Sequence, residues 1–137
     1  IRTAREVNDS KPQWVIDQVQ QAIGKHLQAN PDKTAKDVTV ACFGLAFKPD
    51  IDDLRESPSK AITLKIADAH PGKVLAVEPN IDQLPANMEG KVTLCDIDSA
   101  LAQADVIVLL VDHKQFKSIP QSSLARAERV DTRGIWN

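Results

Sequence analysis

An excess of charge of either sign is missing from this chain. Its 17 basic and 19 acidic residues leave a formal net charge of −2. That excludes a protein held to nucleic acid by bulk electrostatics, which needs a surplus of Lys and Arg. Any anion site has to be local. Long apolar runs are also absent: no stretch approaches the ~20 residues needed to cross a bilayer, and no secretory signal pattern is visible. Cysteine is sparse, with only Cys42 and Cys95. Both fall in apolar, strand-like runs, which predicts buried thiols in a reducing, cytoplasmic setting rather than a disulfide. His26, His70 and His113 are far apart and lack ligand spacing, so no metal site is expected. Glycine is scarce, with five in all. Gly44 has no glycine partner after it, so the Gly-x-Gly-x-x-Gly turn that cradles a dinucleotide pyrophosphate is missing. No internal repeat or low-complexity segment is present. The first residue is Ile1, and the chain reads as a piece of something longer.

What is present is an alternation of helical and strand-like segments within one domain's worth of chain, 137 residues. Residues 1–8 read as the tail of a helix. Ser10 and Gln13 form a capping box with Pro12 in the first turn. The helix that follows carries Val15, Val19, Ile23 and Leu27 along one face to about Gln28, and Asn30-Pro31-Asp32 stops it. Strands are predicted over residues 38–43, 74–77, 92–94, 106–111 and 129–131, with helices opening at Ser57-Pro58, Asp98 and His113. The run at 106–111 is unbroken and β-branched, the pattern of a central parallel strand covered on both faces. The expected fold is α/β: a Rossmann-like parallel sheet of about five strands flanked by helices, preceded by a helix from a connecting segment. Residues 1–30 then form the end of a central helical segment and the helix after it, and residues 31–137 form the Rossmann-like domain. Trp14 either packs the first helix on the domain or meets another subunit.

The richest stretch is residues 44–58, GLAFKPDIDDLRESP. It leaves a strand and enters a helix, which is where open α/β sheets bind ligands. Two cations, Lys48 and Arg55, flank three aspartates. Cations at the carboxyl edge of a sheet suit a phosphate-bearing ligand. The same residues also fit a solvated loop in which Lys48 and Arg55 pair with Asp50, Asp52, Asp53 or Glu56. Glu78, ending the second strand, stands where an acidic ribose ligand could lie. His113 fits either a turn residue or a catalytic one.

Gly44 to Asp50, followed by Asp53-Leu54-Arg55-Glu56-Ser57-Pro58, resembles the C-terminal domain of the UDP-glucose/GDP-mannose dehydrogenase family. Residues 4–9, 77–80, 104–113 and Asp131-Thr132-Arg133-Gly134 agree, so the resemblance covers essentially the whole chain. It implies a two-domain enzyme that oxidises a sugar nucleotide's primary alcohol to a carboxylate in two steps, each reducing one NAD. The N-terminal domain of such enzymes holds NAD, the C-terminal domain holds the nucleotide part of the UDP-sugar, and a central helix joins them and makes a homodimer. By motif, Phe47 and Lys48 match the pair that contacts the UDP-sugar. Arg133 matches a second substrate contact, and Arg55 matches the arginine that reaches NAD. The family's catalytic cysteine sits on a Gly-x-Cys loop that has no match here, so no catalytic residue is assigned and the chain alone is expected to be inactive. The competing reading is a stand-alone Rossmann-like nucleotide-binding or assembly module without chemistry.

Overall fold

The computed structural model describes residues 11–45, 58–79, 81, 83–84, 86–111, 113–124 and 127–131. Helix α1 (Lys11–Ala29) opens this part of the chain. Strand β1 (Val40–Phe43) follows, then α2 (Pro58–Ala69), β2 (Val74–Val77), β3 (Thr93–Leu94) and α3 (Ile97–Gln103). Next come β4 (Val106–Leu109), two short helices α4 (Lys114–Lys117) and α5 (Gln121–Leu124), and β5 (Glu128–Asp131). All pairings are parallel, in the order β3-β2-β1-β4-β5. This is the five-strand Rossmann-like sheet expected from the alternation of segments.

The three central strands, β2, β1 and β4, are buried at every residue, which is why each reads as a continuous apolar run rather than an alternating one. Successive side chains still point to opposite faces. Val40, Cys42, Val74, Ala76, Val106 and Val108 pack with Val15, Val19 and Ala22 of α1 and with Ile62 and Ile66 of α2. Ala41, Phe43, Leu75, Val77, Ile107 and Leu109 pack with Ala100 of α3, Phe116 of α4 and Leu124 of α5. At roughly 25 cal/mol per Å² of apolar surface removed from water, these two layers supply the main driving force.

The boundaries move by a residue or two. Residues 38–39 precede β1, because Thr39 O accepts from both Asp105 N and Val106 N (2.8 and 3.1 Å) as the ladder opens. β3 shortens to two residues, with Val92 bridged to Glu89 instead. Helix α3 begins one residue earlier than expected, because Asp96 caps it by accepting from Ser99 N at 2.7 Å. Helix α5 carried no sequence signal. Ser10 lies outside the described residues, and the Gln13 amide donates to Asp17 Oδ1 at 3.0 Å. Trp14 is 42% exposed, so it is not the residue that fastens α1; Val15 and Val19 do that.

Candidate functional site

The sheet's order reverses around β1: the chain runs from β1 to β2 on one side and returns to β4 on the other. In open α/β sheets the crevice at such a switch point, past the carboxyl ends of the strands, is where ligands sit. Here the end of β1 is gripped from both sides. Gly44 N donates to Val77 O (2.8 Å), while Phe43 O accepts from Leu110 N and Val111 N (2.9 and 3.3 Å). Gly44 turns with φ +104°, and a Cβ there would fall 2.6 Å from Val111 Cβ and 2.8 Å from Val111 N. Glycine is therefore required by both backbone conformation and space.

Leu45, fully buried, is the first residue past the ladder. Its N–H donates to Glu78 Oε1 at 2.8 Å. The same oxygen lies 2.9 Å from His113 Nε2, and both of these side chains have zero exposure. A carboxylate acceptor selects the tautomer in which Nε2 carries the proton and donates. Glu78 is thus turned inward. The expectation that it could face a ribose is corrected: its Oε1 already receives two partners. His113 is a buried partner of this acid rather than an open turn residue. Its ring lies edge-on to Phe116 with centroids 5.3 Å apart, and its carbonyl accepts from Phe116 N at 3.0 Å. The pairing joins residues 35 apart. The sequence signal for it was slight: a polar residue beyond the end of each of two apolar runs, directly at Glu78 and after Asp112 at His113.

At the start of α2, Ser59 is buried and its hydroxyl reaches Leu110 O at 3.5 Å, while Thr63 Oγ1 donates to Ser59 O at 2.9 Å. Residues 46–57 are therefore flanked on both sides by anchors that lead to the end of β4. Phe47, Lys48 and Arg55 belong to this segment and lie outside the described residues, as does Arg133, two residues beyond the end of β5. Beside the crevice a cleft of about 740 Å³ opens between α3, α4 and the ends of β2 and β3. Glu78, Pro79, Cys95, Asp98 and Gln115 line it.

Neither thiol is built as a nucleophile. Burial pushes Cys42 up to about 12, partly opposed by a hydrogen bond with Thr63. Cys95 is only half-buried, unlike the core position expected for it. Burial also raises its pKa, Asp96 adds to the rise, and Lys73 offsets part of it. A reactive cysteine needs the opposite, a depressed pKa. Among the described residues no group of three His, Cys, Asp or Glu side chains converges, and no helix is long and apolar enough to cross a membrane. The described residues do not fit NAD in this crevice. The turn after β1 has one glycine followed by buried Leu45, and the acid at the end of β2 is committed internally.

Fold and crevice define a Rossmann-like domain with an open crevice past the carboxyl ends of β1 and β4. Residues 41–137 match the model of the UDP-glucose/GDP-mannose dehydrogenase family's UDP binding domain, and the chain belongs to that family. It is 57% identical over 136 residues to the UDP-N-acetyl-D-mannosamine dehydrogenases of Salmonella typhi and Escherichia coli K12, covering 99% of this chain and 32% of each relative. It is 47% identical to the NDP-N-acetyl-D-galactosaminuronic acid dehydrogenase of Ralstonia solanacearum, covering 100% of this chain and 30% of the relative. The chain thus spans about a third of the length of these relatives. Among solved structures, it resembles a UDP-N-acetyl-mannosamine dehydrogenase from Staphylococcus aureus with TM-score 0.68 and 28% identity, covering 97% of this chain and 29% of that one. A UDP-glucose dehydrogenase from Pyrobaculum islandicum shares the fold at TM-score 0.74 and 21% identity, covering 98% of this chain and 28% of that one.

Proposed function

We propose that this chain is the UDP-sugar-binding C-terminal part of an NAD-dependent dehydrogenase. The intact enzyme oxidises UDP-N-acetyl-D-mannosamine to UDP-N-acetyl-D-mannosaminuronate for bacterial polysaccharide synthesis. The observation that carries the reading is the 57% identity to UDP-N-acetyl-D-mannosamine dehydrogenases over 99% of the chain. The carboxyl-edge crevice, with both flanks of the 46–57 segment anchored, supports it. Oxidation of a primary alcohol to a carboxylate removes two hydrides, so two NAD are reduced per sugar. NAD binds mainly to an N-terminal domain of the intact enzyme, and the catalytic cysteine lies outside this chain. Lys48 meets the substrate's phosphate or sugar oxygens as a compact charge. Phe47 lies against the same ligand. Arg133 supplies a planar fork of donors. Arg55 reaches across the cleft to NAD. Residues 1–30 form the end of the central helical segment and the helix after it, residues 31–137 form the substrate domain, and the intact protein is a cytoplasmic homodimer.

Full-length protein supplied with NAD and either UDP-N-acetyl-D-mannosamine or UDP-N-acetyl-D-galactosamine tests this reading by NADH formation. Oxidation of the mannosamine substrate, with two NADH per sugar, is expected. Turnover of only the galactosamine substrate would move the assignment towards the second group of relatives. Loss of one charge-assisted contact costs about 1.5–3 kcal/mol, so Lys48→Ala should raise KM for the UDP-sugar by roughly 10- to 150-fold. Arg55→Ala should act mainly on KM for NAD. Equal effects of both substitutions on both ligands would overturn the residue assignment.

A further inference from the structure

We propose that Glu78 and His113 are positioning residues for substrate: a buried brace that sets where the 46–57 segment leaves the sheet. The inference rests on the substrate-binding reading of that segment. Among the described residues, the last main-chain N–H of this stretch to reach β2 is that of Gly44. The next N–H, that of Leu45, finds a side chain instead, Glu78 Oε1 at 2.8 Å. Glu78 belongs to the end of β2 and His113 to the connection after β4, on the two sides of β1. Their 2.9 Å contact therefore spans the end of β1, and the chain departs towards Phe47 and Lys48 from a point fixed to that contact.

The brace is itself held. His113 packs edge-on against Phe116, and Phe116 lies 5.2 Å, centroid to centroid, from Phe43 of β1. The contacts run from β1 through α4 to His113 and Glu78 and return to the residue two past the end of β1. The turn at Gly44 sits close against Val111, with no room for a Cβ. Leu45 is the last described residue before Phe47 and Lys48, and misplacing a charged contact by about 1 Å can cost on the order of 100-fold. A buried polar pair that only stabilised the fold would lower stability without distinguishing one substrate from the other.

The test uses the full-length enzyme with saturating NAD or saturating UDP-sugar in turn, beside thermal unfolding of each variant. His113→Leu keeps volume and removes the donor. It should raise KM for the UDP-sugar by about tenfold or more and leave kcat within about threefold; KM for NAD should change by less than about threefold, because Arg55 lies four residues from the separate anchor at Ser59. His113→Gln places an amide N–H near the position of Nε2 and should recover most of that loss. Glu78→Gln retains an acceptor for Leu45 N and should show a smaller rise with the same selectivity. It decides the question if His113→Leu does not fold. Unchanged KM values in folded variants, a parallel rise for both substrates, or no advantage of Gln over Leu at position 113 would overturn the inference. Lys48→Ala separates the two levels. If it raises the UDP-sugar KM while the brace variants are silent, only the brace fails. If wild-type enzyme does not oxidise the UDP-sugar, or Lys48→Ala is silent, both fail.

Discussion

Each end of the sheet joins a histidine to a carboxylate, and the two pairs are built to different tolerances. At the carboxyl end, His113 and Glu78 meet at 2.9 Å with no exposure. At the amino end, His26 on the last turn of α1 stands 3.7 Å from Asp105, with side chains 14% and 12% exposed. Asp105 spends its other oxygen on Thr39 N at 3.0 Å. The amino end can be loose because apolar burial already fixes what meets there: Val15, Val19 and Ala22 of α1 lie in the same cluster as β1, β2 and β4. At the carboxyl end buried Leu45, Leu110 and Val111 continue the apolar cluster, and the Glu78–His113 pair adds a short hydrogen bond to it. The amino end has a short polar contact too, His70 Nε2 to Val38 O at 2.7 Å, so the difference in tolerance is between the two histidine–carboxylate pairs.

Glu78→Ala should be the most damaging change. It strands a buried histidine and a buried N–H together, and we expect about 3 kcal/mol lost in urea unfolding. Equal loss on removing the amino-end acid would break the contrast. Gly44→Ala should come next, at about 2–3 kcal/mol, from forced left-handed backbone and overlap with Val111. Asp105→Asn keeps an oxygen for Thr39 N–H and should cost no more than about 1 kcal/mol by the same measurement.

Smaller effects sharpen the contrast chemically. In alkylation of native protein followed by mass spectrometry, Cys95 should react slowly and Cys42 only on unfolding, because burial holds Cys42 near 12. Rapid labelling of Cys42 would mean that the sheet opens. The weakest expected signal is at Asp96. The Ser99 N–H it accepts holds its carboxyl below 3.8. Its cap is therefore complete above pH 3.8 and fades as pH falls through the lower folded value. The stability gap between wild type and Asp96→Ala should close over that acid range.

The sheet was legible because its central strands are covered on both faces: residues 40–43, 74–77 and 106–109 are apolar at every position or nearly so, and helices of ordinary length separate them. Asp96 was not recognised as a cap, since the residue after it, Ile97, reads as well as strand as helix. Helix α5 is four residues long, too short for any periodicity to register. The 44–58 motif reads as a ligand loop in sequence, from its glycine, cations and position, but residues 46–57 lie outside the described residues. The brace was not legible, because Glu78 and His113 are single polar residues whose meaning appears only when β2 and β4 are placed on either side of β1. Glu78 in particular looked outward in sequence and faces inward in the fold.

Placing β1 in the middle of the sheet also sets a timetable for synthesis. Val40–Phe43 is made first among the strands, yet it needs partners on both sides. Asp105, the residue before β4, is 66 residues after Thr39. At about 5–20 residues per second, a nascent chain carries a sticky, half-paired strand for on the order of several seconds before β4 can close on it. Until then His113 has not been translated, and its contact with Glu78 cannot form. The carboxyl edge beside β1 is therefore among the last parts of the domain to take shape, and it depends on a late-made strand for its geometry. Slowing translation between residues 80 and 105 would lengthen that window and expose the nascent sheet to aggregation or to chaperones.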